Sequence, residues 1–246
     1  MANPVLNERV FNSNLENDLE NTMTINGTIL KTCFLGLLMA ITFSYNWTLL
    51  LSGFLDKAKV LFNFGLIGGL ILCFIICFAP KNKFLMFTTS LYALCEGLVL
   101  GMVSAFFNVK FPGLASQAII GTIFALFGMF LLYKTNIIKC TDRFRNILFI
   151  TTFGVFGIYL LQYILSFFHL NIPALFSNSA IGIGFSIIVV AIASFHLIVD
   201  FNLIENLSGK VEKHYEWYCG FSLLVTIVWM YIEILNLLAK LQSRNN

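Results

Sequence analysis

Three carboxylic acids and one imidazole lie inside stretches of this 246-residue chain that are otherwise apolar: Glu96, His196, Asp200 and Glu233. A carboxylate in bilayer hydrocarbon costs roughly 2.5–3.5 kcal/mol on insertion scales, so it marks an ion or proton path by default. His196 and Asp200 stand four residues apart, one turn along one helix face, which lets the imidazole partner the carboxylate. Two carboxylates close together in a low dielectric cannot both stay charged unaided; they share a proton or hold a cation between them. No Lys or Arg lies deep in an apolar run. The chemistry left to Asp200 and Glu233 is therefore proton exchange, a transient contact with a metal cation, or pairing with His196. For Glu96 a packing role has equal weight, with the hydroxyl of Tyr92, four residues earlier, as its partner.

The elements that position these groups follow from composition. Hydrophobic residues make up 59% of the chain and charged residues 11%, with 27 phenylalanines; soluble domains carry about 25% charged residues. This is the composition of an integral membrane protein, embedded in a lipid bilayer. A net charge of +3 gives no footing for nucleic acid. Six cysteines are scattered without the spacing of a disulfide framework. Cys73 and Cys77 share a helix face but have no histidine or third cysteine near them, so they read as packing thiols. No cofactor is implied. Residues 1–28 hold one base and four acids, and they lack the basic start and apolar core of a secretory signal.

Seven apolar runs are long enough to span a bilayer: 29–50, 61–79, 84–107, 114–133, 146–168, 179–204 and 216–241. Membrane strands are much shorter and alternate, so the fold class is an all-α bundle of seven transmembrane helices. The domain reading is a polar tail at 1–28, a membrane domain at 29–241 and a short tail at 242–246. Pro80 with Lys81 and Lys83 closes the second run, Pro112 and Gly113 open the fourth, and Pro173 precedes the sixth. With alternating spans, ten of the fifteen Lys and Arg residues fall on the side of the N-terminus. That asymmetry places the N-terminus in the cytoplasm. Small residues recur at four-residue spacing, as in Gly65 and Gly69, and Gly97, Gly101 and Ala105. They read as close helix packing within one bundle, in a monomer or weak oligomer.

Depth constrains which acids can meet. At 1.5 Å per residue, Glu96 lies roughly 18 Å and Asp200 roughly 10 Å from the cytoplasmic side. A last helix spanning from Tyr215 puts Glu233 roughly 27 Å deep, out of reach of Asp200. If 211–219 lies along the interface and the span starts near Gly220, Glu233 falls at roughly 18–20 Å and the acids can meet. Trp217 and Tyr218 suit an interfacial segment, and that second geometry is the one expected.

Enzyme signatures are missing. There is no phosphate loop, no HExxH, no dinucleotide fingerprint and no serine-protease GxSx turn. GIGFS at 182–186 has the glycines of an intramembrane aspartyl protease without the acid. The chain is not expected to be an enzyme.

Several stretches carry a family likeness in order and spacing: YALCEGLVLG at 92–101, FPGLASQAIIGT at 111–122, VDFNLIE at 199–205 and the long run from EWYCG at 216. With NPVL near the start and MTINGTILKT at 23–32, the chain resembles the Bax inhibitor (TMBIM) family over nearly its whole length, closest to the bacterial YccA-like branch. The resemblance implies a bacterial inner-membrane protein whose last helix is wrapped by the other six. It implies a pH-sensitive calcium leak channel or exchanger, gated by protonation of an acid pair. By motif match that pair falls on Asp200 and Glu233, with Glu96 in the family's EG motif. Glu233 stands where the calcium-leak members have Asp, the sixth-to-seventh connection is longer, and 61–79 holds no basic latch. The branch likeness also implies an alternative, a regulator of a membrane-bound quality-control protease or stress pathway that acts without transport of its own.

Overall fold

The computed structural model describes residues 22–78, 84–168 and 173–245. Most of the polar tail, including NPVL, and the turn at Pro80 to Lys83 lie outside the described residues. Among the described residues, seven long helices are α1 (Ile25–Leu51), α2 (Leu55–Phe78), α3 (Leu85–Lys110), α4 (Leu114–Lys134), α5 (Asp142–Phe167), α7 (Ala180–Leu207) and α8 (Tyr215–Asn245), with a short turn, α6 (Pro173–Phe176), before α7. All seven are long and apolar enough to cross a membrane. Among the described residues there is no strand, only an isolated antiparallel bridge between Thr22 and Glu212.

Helix ends differ from the hydropathy runs for local reasons. Thr24 caps α1 by accepting from the Gly27 amide at 2.9 Å, so α1 begins before residue 29. Gly53 turns the chain in the left-handed region, φ 83°, which lets α2 begin at Leu55 with Lys57 and Lys59 already helical. At the far end α8 continues through 242–245 instead of giving way to a tail. Thr141 and Ser179 cap α5 and α7 in the same way as Thr24.

The last helix is the most buried of the seven, with 56% of its apolar window inside the protein. It is lined directly by α1, α3, α4 and α7; α2 packs on α1 and α3, and α5 packs on α7. The enclosure is therefore a ring of four with two outer helices, not six equal neighbours. Glycines set the tightest contact. A Cβ on Gly97 would lie 2.2 Å from the Met39 carbonyl oxygen of α1, and one on Gly101 would lie 2.4 Å from that of Phe43. Asn46 and Thr42 of α1 use this closeness to donate to the carbonyls of Leu98 and Leu94, at 2.6 and 2.9 Å. The small-residue stripe on α3 is thus spent on packing within the bundle.

Candidate functional site

Asp200, on α7, is 7% exposed and faces α8. Ser222 and Thr226 stand one turn apart on α8 and present two hydroxyls to this one carboxylate. Ser222 donates to Oδ1 at 2.8 Å and Thr226 to Oδ2 at 2.6 Å. Both oxygens are satisfied by neutral donors, which is how a buried carboxyl is held without a base beside it.

Glu233 is 4% exposed and has different partners. The Tyr159 hydroxyl of α5 lies 3.0 Å from both carboxylate oxygens, and the Trp229 indole N–H donates to Oε1 at 3.2 Å. Trp229 precedes Glu233 by one turn of α8, so indole and carboxylate share a face. Tyr159 reaches α8 from the outer helix α5, on the side of that helix that also carries Leu148, Thr152 and Val155.

The expected meeting of Asp200 with Glu233 does not occur. Helix α8 runs unbroken from Tyr215, and Glu233 lies seven residues beyond Thr226, about 10 Å further along the axis. The interfacial segment expected at 211–219 is replaced by a helix start with Glu216 and Cys219 fully buried. The two acids therefore cannot be ligands of one ion, and among the described residues no three His, Cys, Asp or Glu side chains gather as a metal site.

His196 is also placed differently. Its Nε2 lies 2.7 Å from Thr152 Oγ1 of α5, and its ring centroid lies 5.5 Å from that of Trp229. It turns away from Asp200, one turn along its own helix, toward the indole that holds Glu233. His196 thus stands between the two acid sites. Glu96 keeps the local partner expected for it, the hydroxyl of Tyr92. It faces α2, where a Cβ on Gly69 would lie 3.7 Å from its Oε2. That puts Glu96 in a third polar site, between α2 and α3.

The sequence profile of the family described as Bax inhibitor 1 like matches residues 3–243. The chain belongs to the Bax inhibitor 1-like family. No curated protein and no solved structure matches it.

In this Bax inhibitor 1-like chain, two further polar sites bracket the acids along α8, and neither carries a local sequence signal. At the start, Glu216 is fully buried. Its Oε1 accepts from the Thr24 amide and hydroxyl, both at 2.9 Å, and its Oε2 forms an ion pair with Lys31. The carboxylate sits at the N-terminus of α1, where the helix dipole favours it. A Cβ on Gly27 would lie 2.2 Å from Glu216 Oε1, so the glycine makes room for it. Backbone bonds from the Met23 amide to the Val211 carbonyl and from the Gly209 amide to the Met23 carbonyl, both 2.8 Å, tie the same corner. Near the other end, Lys240 donates to the carbonyls of Leu175 and Gly182, both at 3.1 Å, and to Ser186 Oγ at 2.8 Å. Charge counting assigns Lys240 to an exposed end of the last span; its long stem instead carries the ammonium to acceptors on α6 and α7.

Proposed function

We propose that this Bax inhibitor 1-like protein is a pH-sensitive cation leak pathway or exchanger, with calcium as the leading ion, in which Asp200 and Glu233 are successive stations. The observation that carries this reading is the polar series Asp200, His196, Trp229, Glu233 between α7 and α8. Each acid is buried, and each is hydrogen-bonded by hydroxyl or indole donors. A carboxylate so held needs a proton or a cation to offset its charge in a low dielectric. Protons and cations therefore compete for the same oxygens, and that competition is the source of pH sensitivity. A cation leaving Asp200 meets His196 and the Trp229 ring face before Glu233, and an aromatic face attracts cations. Glu96, apart from this line, tunes the α2–α3 contact.

The charge asymmetry of the loops and the YccA-like motifs support a bacterial inner membrane with the N-terminus in the cytoplasm. The test is calcium flux into proteoliposomes across pH. The double variant Asp200→Asn, Glu233→Gln is expected to lose the flux. Unchanged pH-dependent flux in that variant would remove both acids from the function.

A further inference from the structure

We infer that residues 175–178 form a strap that closes the Glu233 site from the end of α8, with Lys240 as its latch. The inference rests on the reading of Glu233 as a cation station.

Three contacts fix the strap. Its Leu175 carbonyl accepts from Lys240 Nζ at 3.1 Å. Its Ser177 carbonyl lies against the first turn of α7, where a Cβ on Gly182 would sit 2.1 Å from that oxygen. Its Asn178 side chain donates to Ser243 Oγ on α8 at 2.6 Å. Phe176 then reaches inward. Its ring centroid lies 5.7 Å from Tyr159 and 6.2 Å from Phe185, and those two rings lie 6.2 Å apart. Tyr159 is the residue whose hydroxyl meets both oxygens of Glu233. The strap thus packs an aromatic side chain, tilted by 50°, against the group that holds the acid.

Lys240 is suited to be the latch because of its place on α8. It follows Glu233 by seven residues, two turns on the same face and about 10 Å along the axis. It binds the strap through a backbone carbonyl and α7 through Gly182 and Ser186, so one ammonium joins two elements. A cation moving outward from Glu233 has to pass the aromatic trio and then this ammonium, which repels it. Opening the strap removes Phe176 from Tyr159 and frees Lys240 to swing aside on its flexible stem. The passage is then uncovered and less positively charged.

The test uses the full chain with its six native cysteines replaced by alanine and Glu233→Cys as reporter, reconstituted in vesicles. The probe is a water-soluble cationic methanethiosulfonate reagent. With Lys240 and Phe176 intact, labelling is expected to be slow. It should be at least tenfold faster in Lys240→Met, and also in Phe176→Ala, which leaves α8 untouched should the Lys240 variant fold poorly. Lys240→Arg, which keeps a cationic donor, should label slowly. Equal labelling rates in all four would overturn the strap. Labelling needs no transport, so the two readings can fail separately. Wild-type calcium flux in Glu233→Gln overturns the station, and equal labelling overturns the strap alone.

Discussion

His196 and Asp200 are neighbours on one face of α7, yet their side chains serve different helices. The imidazole meets Thr152 of α5 at 2.7 Å, while the carboxylate takes its hydrogen bonds from Ser222 and Thr226 of α8. The unbroken course of α8 keeps Glu233 apart from Asp200, and the imidazole lies 5.5 Å from the Trp229 ring whose N–H bonds Glu233.

The hydroxyls on Asp200 can be tested without touching the acid. Thr226→Val keeps the shape of the side chain and removes the 2.6 Å donor. A buried group left without its partner costs about 1–3 kcal/mol, so the variant is expected to unfold earlier on heating in detergent. Asp200→Asn removes the buried charge and should lower stability less than Thr226→Val does. Thermal unfolding followed by circular dichroism compares them.

At the start of α8, the ion pair of Glu216 with Lys31 holds the first turns of α1 and α8 together. Lys31→Met leaves a fully buried carboxylate without its counter-charge. Losing a hydrogen bond to a charged group costs about 1.5–3 kcal/mol. The variant should be destabilised by that order, and adding Glu216→Gln should recover part of the loss, because neighbours in one network do not add. A double variant no more stable than Lys31→Met alone would contradict the pairing.

Helix packing gives a third prediction. Gly97→Ala places a methyl 2.1 Å from Thr42 Oγ1, whereas a Cβ on Gly128 meets nothing within 4 Å. Overpacking of this kind typically costs about 1–3 kcal/mol. Gly97→Ala should therefore lower the unfolding temperature, and Gly128→Ala should leave it unchanged or raise it slightly.

Tyr159 offers a fourth. Tyr159→Phe removes the hydroxyl from both oxygens of Glu233 but keeps the ring that Phe176 covers. Calcium flux should fall severalfold. Tyr163→Phe, one turn further on α5 and mostly exposed, should leave it unchanged.

Hydropathy and charge locate seven helices and three acids within them, two of them buried, because both are properties of single residues and their near neighbours. Glu96 with Tyr92 was legible for the same reason, since both lie on one turn of one helix. The partners of Glu216 were not, because Thr24 and Lys31 stand 192 and 185 residues away in the chain. Nothing in the spacing around Glu216 indicates that its carboxylate meets the first turn of α1. A last helix that starts at Tyr215 puts Glu233 out of reach of Asp200, and α8 does start there; what the structure overturns is the interfacial segment at 211–219, expected from Trp217 and Tyr218. Serine and threonine at 222 and 226 satisfy Asp200 instead. Their four-residue spacing on α8 was the available signal. Lys240 counts as an end charge in the sequence because its stem length is visible there but its direction is not.

The most direct measurement is the pH profile of calcium flux in proteoliposomes for Asp200→Asn, Glu233→Gln and the two combined. Separate stations predict reduced flux in each single variant that still responds to pH through the remaining acid, and no pH response in the double variant. Complete loss of the pH response in either single variant, as a shared-proton pair would give, would contradict the account.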